Sequence, residues 1–229
     1  MKRSIKALPV IYSLRHCPYA MRARLAIFKS KQPVLLRDIK LNNKPPEMLA
    51  LSTDGTVPLL VIPNSLNINT PPEIVEESLD IMLKVLSMSD PSGLLAEKNG
   101  VSLADMHSLI KDFDTGLIPA NEAYKCAKRY KESNLNECRQ ACEVYLQQLE
   151  ERLEKYQFLL SDDESLVDVA LMPFIRQFSK VERQWYQQSP YPQLRAWLNR
   201  YLQSPMYTKV MAEHPLWIDN HQDVIFGDI

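Results

Sequence analysis

Residues 10–29 read VIYSLRHCPYAMRARLAIFK, and they carry the clearest structural signal in the chain. The compact apolar run from Val10 to Leu14 is typical of a buried strand. Residues 18–29 are mostly helix formers, and a proline is tolerated in the first turn of a helix. This order predicts a strand, a tight loop and a helix whose N-cap is Cys17.

The cysteine at this helix start is a candidate nucleophile. Free backbone N–H groups and the positive end of the helix dipole favour an anion there, so we expect the pKa of the Cys17 thiol to fall into a range useful at neutral pH. Arg15, Arg22 and Arg24 would add positive potential, although helical geometry turns some of them outward. The alternative is a buried, inert cysteine.

A second thiol is missing from the position where a Cys-x-x-Cys motif would have it, because that position is Ala20. No internal disulfide can therefore form across the turn. A reactive Cys17 would need an external thiol to complete a redox cycle, and glutathione is the abundant cytosolic candidate.

Two further stretches are suited to holding such a tripeptide. In TVPLL, residues 56–60, a cis bond before Pro58 would turn the chain and leave the backbone of Val57 free to pair with an extended ligand; the alternative is an ordinary proline that opens a strand. In EESLDIM, Ser78 begins a helix and suits a carboxylate, while Glu76 and Glu77 could meet an ammonium group. A plain serine N-cap with acidic neighbours explains the second stretch equally well.

The remaining pattern divides the chain into two parts. Strand signals cover 34–39, 57–62 and 73–76, and helix signals cover 45–51 and 78–86, so residues 1–86 form an α/β layer. Residues 87–100 have the composition of a linker. Residues 101–229 are almost entirely helical in period, with predicted helices at 103–130 (interrupted by Gly116 and Pro119), 135–156, from Ser165 onward, and 194–202. Ser165 and Asp168 have the spacing of a capping box.

Composition excludes several classes of function. The net charge of −1 supplies no general field for nucleic acid or an anionic membrane. Of the four cysteines, Cys138 and Cys142 lie on an apolar helical stripe, which favours core packing over a metal site. The N-terminus lacks a signal-peptide cleavage site, and no stretch approaches the roughly 18 apolar residues of a membrane helix. We expect a soluble, cytoplasmic protein.

The order of these motifs resembles the glutathione transferase superfamily, in its cysteine-type bacterial and omega-like branches. The motifs are CPYA between a strand and a helix, then TVP, then ES, and then a helical region that contains SLVDVALMPFIRQF. The RYK at residues 129–131 and the WL at 197–198 extend the resemblance over nearly the whole chain. It implies a fold of class α/β plus all-α, with a thioredoxin-like N-terminal domain and an all-helical C-terminal domain. It also implies glutathione as co-substrate, no metal and a homodimer.

The resemblance implies a role for individual residues. Cys17 matches the nucleophile that forms a mixed disulfide with glutathione, and Tyr19 the aromatic residue just beyond it. The remaining matches are Lys44 for the glycyl carboxylate, Val57 and Pro58 for backbone pairing beside a cis-proline, Glu77 and Ser78 for the γ-glutamyl group, and Asp168 for a buried folding residue. The loop at residues 63–72 looks longer than is usual in the family. Phe113, Tyr124 and Trp185 are plausible walls of a second-substrate pocket, although helix-core packing explains them equally well.

Three functions follow from this interpretation. The leading hypothesis is a thiol transferase or dehydroascorbate-reductase-type enzyme in which the Cys17 thiolate is glutathionylated and then released by a second glutathione. The second is a transferase that conjugates glutathione to electrophiles with the help of Tyr12 or Ser13. The third is a non-catalytic docking protein of the same fold. The identity of the acceptor lies beyond the sequence.

Overall fold

The computed structural model describes residues 8–64 and 70–227. The chain divides into two compact units. The first joins the residues up to Ser92 with those from Pro205 onward, and the second is Gly93–Ser204. Residues 65–69, which make up half of the long loop expected at 63–72, lie outside the described residues.

A five-stranded mixed sheet forms the centre of the first unit, with the strand order β4-β3-β1-β2-β5. The strands are β1 Val10–Ser13, β2 Val34–Asp38, β3 Leu59–Ile62, β4 Glu73–Val75 and β5 Val224–Phe226. β1 and β2 run parallel, and the other neighbouring pairs are antiparallel. The predicted strand at 57–62 therefore begins two residues later than expected, at Leu59.

Three helices complete the N-terminal part of this unit: α1 Pro18–Ser30, α2 Pro46–Leu49 and α3 Ser78–Met88. α1 has Pro18 in its first turn and ends at Lys31, which adopts the left-handed conformation common at helix C-termini. α1 and α3 pack against each other. The predicted helix start at Ser78 is confirmed: Ser78 is the first residue of α3, and Glu77 is the N-cap, so the alternative of a serine N-cap does not hold.

The second unit consists of packed helices. They are α4 Leu103–Tyr130, α5 Leu135–Leu153, α6 Leu166–Ser179, α7 Arg183–Gln188 and α8 Pro192–Leu202. The capping box at the start of α6 is confirmed, because the Asp168 carboxylate accepts hydrogen bonds from both the N–H and the hydroxyl of Ser165. Asp168 also accepts from Leu159 and from the indole of Trp197, so this buried residue joins three parts of the unit.

The predicted interruption of the first long helix is wrong. α4 runs unbroken through Gly116 and Pro119 for 28 residues. It packs against α5 and α6, and buried apolar contacts of this kind outweigh the local helix-breaking tendency of one proline.

The residues after α8 return to the first unit. We call Pro205–Gly227 the C-terminal segment; it contains α9 Pro205–Val210, α10 Trp217–Asn220 and β5. α9 packs against α1, and β5 pairs with β2. The predicted helical domain at 101–229 differs from the second compact unit, since that unit ends at Ser204.

An apolar cluster anchors the C-terminal segment to the sheet. Trp217 is buried there with residues of the strands and of α2, and the other members are Tyr12, Ile39, Met48 and Leu59. The guanidinium of Arg37 lies 3.8 Å from the centre of the Trp217 ring, and the indole N–H donates to Glu47. The segment is therefore part of the core of this unit.

Candidate active site

Cys17 is the N-cap of α1, as the sequence predicts. Its N–H donates to the carbonyl of Leu14 at 3.0 Å, and its carbonyl accepts from Met21 at 2.9 Å. The side chain makes no capping hydrogen bond, and the residue is partly exposed. The backbone of Cys17 is thus held at the helix start, and its thiol does not serve as a capping group.

The strand register brings the predicted site segments to one edge of the sheet. Tyr12 pairs with Leu59, so the start of β3 lies beside the end of β1, where the loop to Cys17 begins. Leu60 pairs with Val75, so the end of β4 lies at the same edge. Pro58 precedes β3 directly, and residues 76–78 follow β4 directly. Three segments that are far apart in sequence therefore meet at this edge.

The peptide bond between Val57 and Pro58 is cis, as the resemblance implies. Pro58 is buried, whereas Val57 is partly exposed and lies outside the ladder of β3. The backbone of Val57 is accordingly placed at the edge without being committed to a strand of this chain.

Glu76, Glu77 and Ser78 surround the start of α3. Glu77 is exposed, while Ser78 is buried and its hydroxyl lies 3.4 Å from an Nη of Arg22. One carboxylate oxygen of Glu76 is buried and makes no hydrogen bond within the described residues. This edge therefore carries the exposed carboxylate of Glu77 and the buried hydroxyl of Ser78, which is contacted by Arg22 of α1.

Lys44 and Tyr19 are the two remaining residues that were expected at this site. The ammonium of Lys44 lies over Gly55, close enough that a methyl group there would come within 3.3 Å of it. The side chain of Lys44 thus reaches the loop that leads to Val57. Tyr19 is 38% exposed, two residues after Cys17.

The arginines near Cys17 are placed differently from the prediction. Arg22 and Arg24 are both buried rather than turned outward. Arg24 forms an ion pair with Asp38 at 2.8 Å, and Arg15 one with Glu213 at 3.0 Å. The charges of Arg24 and Arg15 are therefore balanced by carboxylates instead of being directed to the thiol.

Burial dominates the electrostatics of the Arg24–Asp38 pair. It raises the pKa of Asp38 despite the opposing effect of Arg24, and it lowers the pKa of Arg24. Burial also lowers the pKa of His214, which interacts with both residues. Sequence reasoning missed His214 and Glu213, because no local pattern connects the C-terminal segment with α1.

The two hydroxyls considered for conjugation are buried in β1. Tyr12 is 1% exposed, and its hydroxyl accepts a hydrogen bond from Arg37 at 2.7 Å. Burial raises the pKa of Tyr12, although Arg37 opposes this shift. Ser13 is fully buried. Neither hydroxyl is placed to meet a thiol from solvent.

The aromatic residues considered as pocket walls belong to the packing of the second unit. Phe113 and Tyr124 are buried, and the Tyr124 hydroxyl donates to Glu182 at 2.7 Å. Trp185 packs edge-on against Phe178.

Cys138 and Cys142 lie on α5, and Cys142 is buried. Burial raises the pKa of Cys142 to about 12, which suits an inert core thiol. Among the described residues, no group of three or more His, Cys, Asp or Glu side chains is placed to hold a metal ion. Within residues 8–64 and 70–227, every helix is too short or too polar to cross a bilayer.

The mixed sheet with its cis-proline and the separate helical unit define a thioredoxin-like domain joined to an all-α domain. Comparisons with known proteins agree. The glutathione S-transferase N-terminal domain family matches residues 11–92, and the glutathione S-transferase C-terminal domain family matches residues 104–205. The chain belongs to the glutathione S-transferase family.

Individual proteins are also similar to this chain, in sequence or in fold. Glutathione S-transferase omega-1 of the mouse is 28% identical over 200 residues, which span 86% of this chain and 77% of the relative. A glutathione transferase from Pseudomonas putida, solved with one glutathione disulfide per subunit, superimposes with a TM-score of 0.77 at 16% identity, over 93% of this chain and 95% of its own. A family member from Pseudomonas fluorescens, solved with two glutathione bound, gives 0.76 at 16% identity, over 92% and 95%. The predicted fold class is confirmed.

Proposed function

We propose that this protein is a glutathione-dependent thiol transferase with Cys17 as its nucleophile. The observation that carries the proposal is the placement of Cys17. Its sulfur makes no capping hydrogen bond at a helix N-terminus, at the sheet edge where the backbone of Val57 and the start of α3 also lie. A thiolate at such a position is stabilised by the unpaired N–H groups of the first turn.

The reaction proceeds by two successive thiol–disulfide exchanges. The Cys17 thiolate attacks the glutathione sulfur of a mixed disulfide; the new sulfur–sulfur bond forms as the old one breaks, and the acceptor leaves as a thiolate. A glutathione thiolate then attacks the glutathionylated Cys17, which releases glutathione disulfide and restores the Cys17 thiolate. Electrons balance because the incoming glutathione thiolate is oxidised to the disulfide level while the acceptor sulfur is reduced to a thiolate.

Six further residues would form the binding site for the tripeptide. The backbone of Val57, fixed by Pro58, pairs with the cysteinyl residue of glutathione in strand fashion. Glu77 meets the γ-glutamyl ammonium, and the hydroxyl of Ser78 its carboxylate. Lys44 approaches the glycyl carboxylate, and Tyr19 supplies the aromatic side chain just beyond Cys17. The glutathione in the Pseudomonas fluorescens structure and the glutathione disulfide in the Pseudomonas putida structure support glutathione as the ligand.

Conjugation by a tyrosine or serine hydroxyl is the weaker alternative. A phenol activates a thiol only when its oxygen reaches that thiol, and the Tyr12 oxygen is buried against Arg37. Ser13 has no exposed surface at all.

The test compares Cys17→Ser with Cys126→Ser. Cys126 is an exposed cysteine on α4 and serves as the matched control. With a glutathione–cysteine mixed disulfide or dehydroascorbate as acceptor, we expect kcat/KM of Cys17→Ser to fall by at least about 100-fold, or about 2.7 kcal/mol of transition-state stabilisation. Cys126→Ser should keep the wild-type rate.

Full activity of Cys17→Ser with either acceptor would refute the mechanism. Retention on immobilised glutathione, with elution by free glutathione, separates an enzyme from a docking protein of the same fold. Failure of the wild type to bind would favour the docking protein.

The same proposal includes two expectations from the resemblance. The protein acts in the cytoplasm, where glutathione is largely reduced. It forms a homodimer, which sedimentation equilibrium of the full chain would detect as twice the 26.5 kDa chain mass.

A further inference from the structure

An open cavity of about 590 Å³ lies in the helical unit, where the end of α4 meets the turn between α6 and α7. Its lining includes three cationic side chains, one carboxylate, one indole and two amides: Lys128, Lys180, Arg183, Glu182, Trp185, Gln184 and Gln188. Its size falls within the range of small-molecule sites. None of these residues takes part in the chemistry proposed for Cys17.

The one carboxylate in this lining is already satisfied. Glu182 accepts from Lys128 at 3.0 Å on one oxygen, and from Tyr124 at 2.7 Å and Arg139 at 3.0 Å on the other. Burial opposes its ionisation, but these hydrogen bonds lower the pKa of Glu182 below its usual value. Glu182 is therefore ionised at neutral pH, and its carboxylate already accepts hydrogen bonds from three side chains of the protein.

Two of the cations lack such a partner. Within the described ranges 8–64 and 70–227, neither Lys180 nor Arg183 has a carboxylate at ion-pair distance. The pKa of Lys180 is lowered, first by burial and then by the positive charges of Arg176 and Arg183. Lys180 and Arg183 thus bring two like charges to this cavity, and no carboxylate of the described residues pairs with them.

The indole supplies a fixed apolar side to the same cavity. Trp185 is half-buried, with Arg139 4.5 Å from the centre of its ring and Phe178 packed edge-on at 6.1 Å. Contacts on two sides hold the ring in one orientation. A ligand that reaches Lys180 and Arg183 would therefore meet a preformed aromatic surface rather than a mobile side chain.

We propose that this cavity binds a phosphate monoester, with its phosphate between Lys180 and Arg183 and its organic group beside Trp185. The guanidinium of arginine matches two phosphate oxygens at once, and lysine contributes a compact charge. A phosphate monoester carries up to two negative charges at neutral pH, which balance the two unpaired cations. A carboxylate carries only one.

The experiment titrates the full chain with phenyl phosphate, inorganic phosphate and benzoate by isothermal calorimetry at 0.15 M salt, where exposed charge pairs are screened. We expect phenyl phosphate to bind with a dissociation constant of about 1 mM or tighter. Inorganic phosphate should bind less tightly, because it does not reach Trp185, and benzoate should bind least. Phenyl phosphate should also change the tryptophan fluorescence of the protein, and this change should disappear in Trp185→Phe.

Variants locate the binding. Lys180→Gln and Arg183→Gln should each weaken phenyl phosphate binding by roughly tenfold, whereas Lys111→Gln, an exposed lysine on the same unit, should leave it unchanged. Equal binding by all three variants, no binding by the wild type, or a preference for benzoate would each overturn the proposal. None of these variants needs to change the rate of thiol transfer, so the result of the binding experiment does not depend on the role of Cys17.

Discussion

At the scale of single residues, Gly116 shows how one missing side chain lets two helices meet. It lies in the middle of α4, opposite Tyr145 of α5, whose ring packs edge-on against Phe113 at 5.5 Å. A Cβ built on Gly116 would lie 1.9 Å from the Tyr145 hydroxyl and 2.4 Å from the ring carbon that bears it. The approach of the phenol thus requires a glycine.

Gly116→Ala should therefore destabilise the protein, although alanine is normally the better helix former. Helix propensity alone would favour alanine by about 1 kcal/mol, but displacement of a packed ring costs about 1–3 kcal/mol. We expect a net loss of stability in urea unfolding. In the Tyr145→Ala background the same change should be neutral or stabilising. A stabilising effect of Gly116→Ala in the wild type would contradict this account.

Residue-level prediction succeeded where a local pattern has one physical meaning. Cys17 and Asp168 each occupy a helix start, and sequence spacing alone locates such positions. It failed for Arg22 and Arg24, because their partners, Ser78 and Asp38, come from other elements. For residues such as Arg22 and Arg24, the sequence offers one signal: an arginine among the apolar residues of a helix indicates a buried polar or acidic partner.

At the scale of elements, one carboxylate ties three helical elements together. Glu182 precedes α7 and receives hydrogen bonds from Tyr124 and Lys128 of α4 and from Arg139 of α5. Sequence analysis gave no indication of this junction, since the partners lie 43 to 58 residues away. It did locate most helices, because their apolar period persists over several turns.

Glu182→Gln should remove a pH-dependent part of the stability. The pKa of Glu182 is lower in the folded protein than its usual 4.5, so its contribution is complete above that value and is lost as the pH falls through the folded pKa. At pH 7 we expect the variant to be less stable by about 1–3 kcal/mol in urea unfolding. The difference should shrink as the pH is lowered below 4.5. A difference that is constant with pH would show that Glu182 acts without its charge.

At the scale of the whole molecule, the chain builds its first unit from both of its ends. Without β5, the strand β2 would be an exposed edge, and such edges invite pairing with other molecules. The sequence predicts the first four strands, but not β5, α9 or α10. A three-residue strand has too few residues to show a period, and its partner β2 lies about 190 residues earlier.

Two neighbouring residues of β5 test the importance of this pairing. Phe226 is 7% exposed and Ile225 is 52% exposed. Phe226→Ala should lower the free energy of unfolding of the first unit by about 3 kcal/mol, whereas Ile225→Ala should change it by less than about 0.5 kcal/mol. Amide hydrogen exchange in β2 should accelerate only in Phe226→Ala. Equal effects of the two variants would mean that β5 contributes no core.

The position of β5 also affects how the protein is made. Domains generally fold in the order in which they leave the ribosome. Here the helical unit emerges complete, while the sheet waits for residues 224–226 to be translated. Until then the nascent N-terminal half carries an open flank, and a chaperone that shields it would favour correct maturation.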